Sequence, residues 1–105
     1  MIFELRTYTL RVGTIKGFLE RYEGDWLAVQ TRHLGPPVGY FVTEVGELNQ
    51  GVHLWKYASF DDRDRRRAAL DADPQWVAYK TMPANSDALP SQHNTVLRSA
   101  PFSPI

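Results

Sequence analysis

The chain reads as a single α+β domain ordered β-α-β-β-α-β. Three observations predict this: a strictly alternating opening segment, two stretches with apolar residues at three- and four-residue steps, and a short glycine-bounded turn between two β-rich segments. With 105 residues there is room for one domain and no internal boundary.

The opening strand runs from Phe3 to Leu10, with Phe3, Leu5, Thr7 and Thr9 on one face and Glu4, Arg6 and Tyr8 on the other. Gly13 ends it. Thr14 is placed to cap a helix whose stripe is Ile15, Phe18, Leu19, Tyr22, Trp26, Leu27 and Val29, reaching about His33. Gly24 is a weak point where that helix is expected to bend. Gly35-Pro36-Pro37 stops it. Val38 to Val45 is the second strand, Gly46 to Gly51 the turn, and His53 to Tyr57 the third strand. So short a turn requires an antiparallel hairpin.

Ser59 with Asp62 resembles a capping box, and Asp61 and Asp62 suit the positive end of a helix dipole. The second helix therefore runs from Phe60 to about Leu70, and Asp73-Pro74 restarts it toward Met82. Pro83 and Asn85-Ser86-Asp87 break it. Gln92 to Arg98 is the last strand, and the tail with Pro101 and Pro104 is expected to be extended. This order is the ferredoxin-like arrangement, with both helices on one face of a four-stranded antiparallel sheet. If Phe3, Leu5, Val52 and Leu54 lie under the helices, then Arg6, Tyr8, His53, Trp55 and Tyr57 lie on the uncovered face. Large aromatics exposed there would mark an interface or a ligand site, and hence a homodimer.

Composition narrows the function classes. Twelve basic and twelve acidic residues cancel, which argues against nucleic acid as a partner. With no cysteine, a disulfide framework, a cysteine nucleophile and a thiolate metal site are all excluded. No apolar stretch approaches the roughly 20 residues needed to span a bilayer, so membrane insertion is not expected. The first residues lack a secretion signal's pattern. A bacterial cytoplasm is the expected compartment, or a mitochondrion if the source is eukaryotic.

Gln30-Thr31-Arg32-His33-Leu34-Gly35, Val38 through Gly46, Leu48-Asn49-Gln50, His53-Leu54-Trp55-Lys56-Tyr57 and Ser59 through Arg66 together resemble the NIPSNAP family. The opening Phe3-Glu4-Leu5-Arg6-Thr7-Tyr8 and the closing Leu97-Arg98-Ser99-Ala100-Pro101-Phe102 are similar too, so the resemblance covers nearly the whole chain. It implies a dimeric α/β barrel, in which two ferredoxin-like sheets face each other. Other members of that fold include cofactor-free monooxygenases, isomerases and haem enzymes. The family has no agreed chemistry and supplies no catalytic set to carry over. Its eukaryotic members are associated with mitochondria. Lys80 to Pro90 departs from the resemblance, being polar and proline-interrupted where similar sequences continue a helix.

Chemistry is expected on the Arg6, Tyr8, His53, Trp55 and Tyr57 face. Arg6 would hold an anion, His53 would exchange a proton near neutral pH, and the aromatic rings would form an apolar wall. Glu44 is a second candidate acid or base. The competing explanation is plain packing of a dimer core, with Arg6 paired to a carboxylate, and interface composition favours it. His33, His53 and His93 show no metal-ligand spacing, so no metal is expected, and no cofactor is assigned. Asp61-Arg65 and Asp62-Arg66 are i,i+4 pairs on a solvated helix face, and Asn49 is expected to fix its turn. No serine triad, P-loop or dinucleotide fingerprint is present. Two functions follow: a small-molecule enzyme or binder, or a non-catalytic homodimeric protein-interaction module.

Overall fold

A computed structural model describes residues 1–105. Its elements are β1 (Ile2–Thr9), α1 (Ile15–Arg21), a π-helical turn (Tyr22–Trp26), α2 (Leu27–Leu34), β2 (Gly39–Val42), β3 (Gln50–Tyr57), α3 (Phe60–Asp71), α4 (Pro74–Thr81), α5 (Pro83–Ser86) and β4 (Ser91–Leu97). The four strands form one sheet in the order β2-β3-β1-β4, with every neighbouring pair antiparallel. The predicted ferredoxin-like arrangement holds. The shortest dimension, 20 Å, leaves depth for one sheet and one layer of helices.

The helix boundaries follow local chemistry. Ser59 Oγ accepts from the Asp62 N–H at 3.1 Å, and the Asp62 carboxylate accepts from the Ala58 N–H at 2.9 Å, which closes the box one residue early. Asp73 caps α4 by accepting from the Gln75 N–H at 2.9 Å, with Pro74 in the first helical position. Thr14 stands at the start of α1 but bonds backward, its hydroxyl donating to the Arg11 carbonyl. The helix is interrupted around Gly24. There the helix widens into the π turn and then resumes, and a π turn adds one residue without ending a helix.

The second strand is shorter than expected, since Thr43 to Val45 lie outside it in the turn. Asn49 has a positive φ of 64°, and its carbonyl accepts from the Leu10 N–H, tying the turn to the end of β1. Arg66 pairs with Asp62 at 2.8 Å as expected, but Arg65 reaches Asp62 at 3.7 Å rather than Asp61. The tail turns at Pro101–Phe102 instead of extending, with the Ser103 N–H bonded to the Ala100 carbonyl. No helix is long and apolar enough to cross a membrane.

The two faces of the sheet are exchanged relative to the sequence expectation. Trp55 and Tyr57 pack with Tyr22, Val29, Leu34, Leu70, Trp76 and Tyr79 in the main core, so their face lies under the helices. Cross-strand pairing puts Glu4 beside Trp55 and Arg6 beside His53 on that same face. Phe3, Leu5, Val52 and Leu54 lie on the other side with Phe41, a residue 60% exposed. Alternation defines two faces but does not say which one is inside. Hydropathy favoured the aliphatic face, and the protein instead buries the aromatic and charged one.

Candidate functional site

A cavity of about 560 Å³ lies between the sheet and the helices. The sheet contributes Arg6 and Tyr8 from β1, Tyr40 from β2 and His53 from β3. Opposite them stand Tyr22 from the π turn, Gln30 from α2, Arg63 and Arg67 from α3, and Trp76 and Tyr79 from α4. The π turn matters here because it carries Tyr22, whose hydroxyl donates to the buried Gln30 amide oxygen. Asn85 closes one end. It donates to the Tyr79 carbonyl at 2.9 Å and accepts from Arg21 Nε at 2.7 Å, so the departing segment after Lys80 is pinned to both α4 and α1.

The electrostatic centre is Glu4, which has no exposed surface. Arg63 grips both carboxylate oxygens at 2.9 and 3.2 Å, Arg6 donates at 3.1 Å, and Asn94 donates at 3.2 Å. Arg67 is close enough to ion-pair, with Nη2 at 3.5 Å, but forms no hydrogen bond. Burial would raise this carboxyl's pKa. The Arg63 hydrogen bond and the Arg67, Arg6 and Arg63 charges outweigh burial and hold it below its ordinary range. One carboxylate thus faces three guanidiniums, a surplus of positive charge beside the cavity.

His53 is 1% exposed and boxed by aromatic rings. Tyr40 stacks on it at 4.6 Å between centroids, and Tyr8 meets it edge-on at 4.7 Å. Its Nδ1 accepts from the Trp55 indole N–H at 2.7 Å. Burial, reinforced by the Arg6 and Arg67 charges, pushes its pKa down to about 3. The ring is therefore neutral near pH 7, which does not suit the proton exchange expected of it. Burial also raises the phenol pKa values of Tyr22, Tyr40 and Tyr79, so these hydroxyls keep their protons.

The structure brings Arg6, Tyr8 and His53 together at the cavity. Trp55 and Tyr57 are buried beside it in the core rather than lining it, with the Trp55 indole bonded to His53. Glu44 is exposed in the turn beyond β2 and takes no part. The other two histidines lie elsewhere. His33 bonds Asp73 at 2.8 Å, and His93 sits on the outer side of β4.

Glu4, Arg63 and Arg67 went unrecognised in the sequence, where the arginine run read as a solvated face. A signal was present: Arg63, Arg67 and the fully buried Leu70 fall on one helical stripe at steps of four and three. The Arg67 side chain is 15% exposed against 76% for Arg65, so neighbouring arginines of one run serve different surfaces.

A family model, NIPSNAP, matches residues 3–104. A NipSnap homolog from Dictyostelium discoideum is 36% identical over 99 residues, covering 87% of this chain and 40% of that protein. Human NipSnap homolog 3A is 33% identical over 84 residues, covering 79% of this chain and 33% of its own length. The chain thus spans well under half the length of these curated relatives. A crystal structure of a NIPSNAP family protein of unknown function from Agrobacterium tumefaciens superposes with a TM-score of 0.93 at 41% identity, covering 99% of this chain and 92% of that one. An antibiotic biosynthesis monooxygenase, at 13% identity and a TM-score of 0.64 over 96% of this chain and 100% of that one, shares the fold alone. With a family match along nearly its whole length, the chain belongs to the NIPSNAP family.

Proposed function

We propose that this domain holds a small anionic molecule with an aromatic or conjugated body in the cavity between sheet and helices. One observation carries the reading. The buried polar side-chain atoms without a hydrogen-bond partner are Arg6 Nε, Arg67 Nε and Nη2 (the last 3.5 Å from Glu4 in an ion pair), His53 Nε2 and the Tyr57 and Tyr79 hydroxyls, and none of them can serve only as an acceptor. Arg6, Arg67, His53 and Tyr79 line the cavity. An occupant rich in acceptors satisfies them, and the positive surplus selects one that is negatively charged. Tyr8, Tyr22, Tyr40 and Trp76 supply walls for a flat apolar body.

Conversion of that ligand, monooxygenase- or isomerase-like by analogy of fold, would use the same surplus to stabilise an anion formed on it. The groups able to accept a proton are engaged: Glu4 by arginines, His53 Nδ1 by Trp55, and Asp71 by Lys80 at 3.5 Å. The ligand therefore has to arrive already ionised, its proton left in bulk water before it binds. The protein acts as a homodimer in this reading, and its freedom from cysteine fits a reducing compartment such as a bacterial cytoplasm or a mitochondrion.

The test is a fluorescence titration with benzoate and naphthoate, set against the corresponding amides, following tryptophan emission, to which the wall residue Trp76 contributes. Carboxylates should bind, amides should not, and Arg67→Gln should weaken binding at least tenfold. Equal binding of acid and amide would sink the proposal. The alternative, a non-catalytic homodimeric interaction module, draws on the uncovered sheet face with Phe41 and Leu97 exposed on it. That reading has no use for a pocket between sheet and helices lined by donors without hydrogen-bond partners.

A further inference from the structure

We infer that the ligand carries two acceptor groups: a carboxylate taken by Arg6 and Arg67, and a second oxygen, hydroxyl or oxo, taken by the Nε2–H of His53. This rests on the anion reading above and narrows it to hydroxy- or oxo-substituted aromatic carboxylates.

The assignment of the His53 hydrogen follows from its neighbour. An indole nitrogen can only donate, so the 2.7 Å bond from Trp55 Nε1 requires a bare lone pair on His53 Nδ1. A neutral imidazole has a single N–H, which must then be on Nε2. Trp55 and His53 are two residues apart on β3, so the alternation of the strand itself delivers the indole to the imidazole. The ring cannot easily turn over, since Tyr40 stacks on its face and Tyr8 abuts it edge-on. With its pKa held at about 3, it stays a neutral donor wherever a carboxylate ligand is ionised.

That donor has no partner and no exposed surface. It lies directly across the strand pair from Arg6, whose Nε is also unpartnered, so a charged and an uncharged donor stand side by side on adjacent strands. A compact planar acid with two oxygens on one skeleton spans neighbouring strands of this kind. Tyr8, which meets the His53 ring edge-on, is the side chain we assign to yield and admit it. It is half-buried, and the bond from Arg6 Nη2 to its hydroxyl is long at 3.4 Å. Trp55 is then a positioning residue, fixing which ring nitrogen bears the hydrogen without touching the ligand.

The experiment compares benzoate with 2-, 3- and 4-hydroxybenzoate by isothermal titration, alongside a long-range ¹H–¹⁵N spectrum of the histidine rings. At least one hydroxybenzoate should bind tenfold or more tightly than benzoate, and the His53 signals should report hydrogen on Nε2. In His53→Phe the ratio should fall to near one. In His53→Gln, where an amide N–H can donate, part of the ratio should survive. Equal binding of benzoate and all three hydroxybenzoates to the unaltered protein would overturn the inference while leaving the anion reading intact. Failure of every acid to bind would remove both. A preference that persists in His53→Phe, or an Nδ1–H ring in the unaltered protein, would also overturn it. If His53→Phe does not fold, loss of the whole preference in a folded His53→Gln counts against the inference.

Discussion

A carboxylate with no exposed surface is stable only while its partners hold it, and Glu4 has Arg6, Arg63 and Asn94 bonded to it. Glu4→Ala should destabilise the domain by about 3–5 kcal/mol in urea unfolding, because the largely buried Arg6 and Arg67 are left without a counter-charge while Arg63 keeps only Asp64. Loss of under 1 kcal/mol would mean that water already screens the cluster. His53 makes a pH-dependent contribution of definite sign. Its pKa is about 3 when folded and near the ordinary 6.5 when unfolded, so the unfolded chain takes up the proton first. This contribution is complete above about pH 6.5 and declines by about 1.4 kcal/mol per pH unit as pH falls toward 3. Unfolding free energies between pH 7 and 4.5 should show that slope, and His53→Gln should flatten it. Arg6, Tyr8 and His53 were legible as a group because strand alternation, with β1 paired beside β3 as the ferredoxin-like order requires, places them on one face. Their carboxylate was not, since nothing local marks Glu4 as buried rather than solvated.

Among the elements, the interrupted first helix is the most informative. Gly24 was visible as a weak point, but the widened turn there also carries Tyr22 and Trp26 against distant Tyr79, a contact that no local pattern signals. Gly24 has no positive φ and nothing within 4 Å of a built Cβ, so its glycine is not required by the backbone or by space. Gly24→Ala should stabilise the domain by about 0.5–1 kcal/mol, read as a rise in the unfolding midpoint. A destabilised variant would show that the π turn needs glycine for a reason outside sterics. The strands were legible to within a few residues, except that β2 ends at Val42 because only Thr43 continues bonding to Gln50 beyond it. Helix α3 was legible in its cap and length but not in its orientation. Its composition is polar nearly all round, and Leu70 is its only buried residue.

For the whole molecule, the exchange of faces alters what a dimer would bury. The uncovered side presents Phe41 and Leu97, 60% and 43% exposed, beside half-buried Leu5, Val52 and Leu54. Apolar surface left in water costs about 25 cal/mol per Å², which favours covering it with a second copy. Sedimentation at micromolar concentration should show a dimer, and Phe41→Asp should shift it toward monomer with little change in far-ultraviolet circular dichroism. A monomer in the unaltered protein would reject the barrel. The case for association survives the exchange of faces because both sides of this sheet are rich in large side chains. That is also why hydropathy alone misjudged which side was inside.

The strand order has a consequence for biosynthesis. β1 is central, flanked by β3 and β4, yet it leaves the ribosome before either of them. Its bond from Asn94 to Glu4 joins residues 90 apart. Until β4 emerges, a nascent chain holds one edge of β1 open and leaves a buried-to-be carboxylate short of a partner. Chain collapse on the ribosome can therefore assemble the β2–β3 hairpin with its helix, but the cationic cavity is completed only as the last strand clears the exit tunnel.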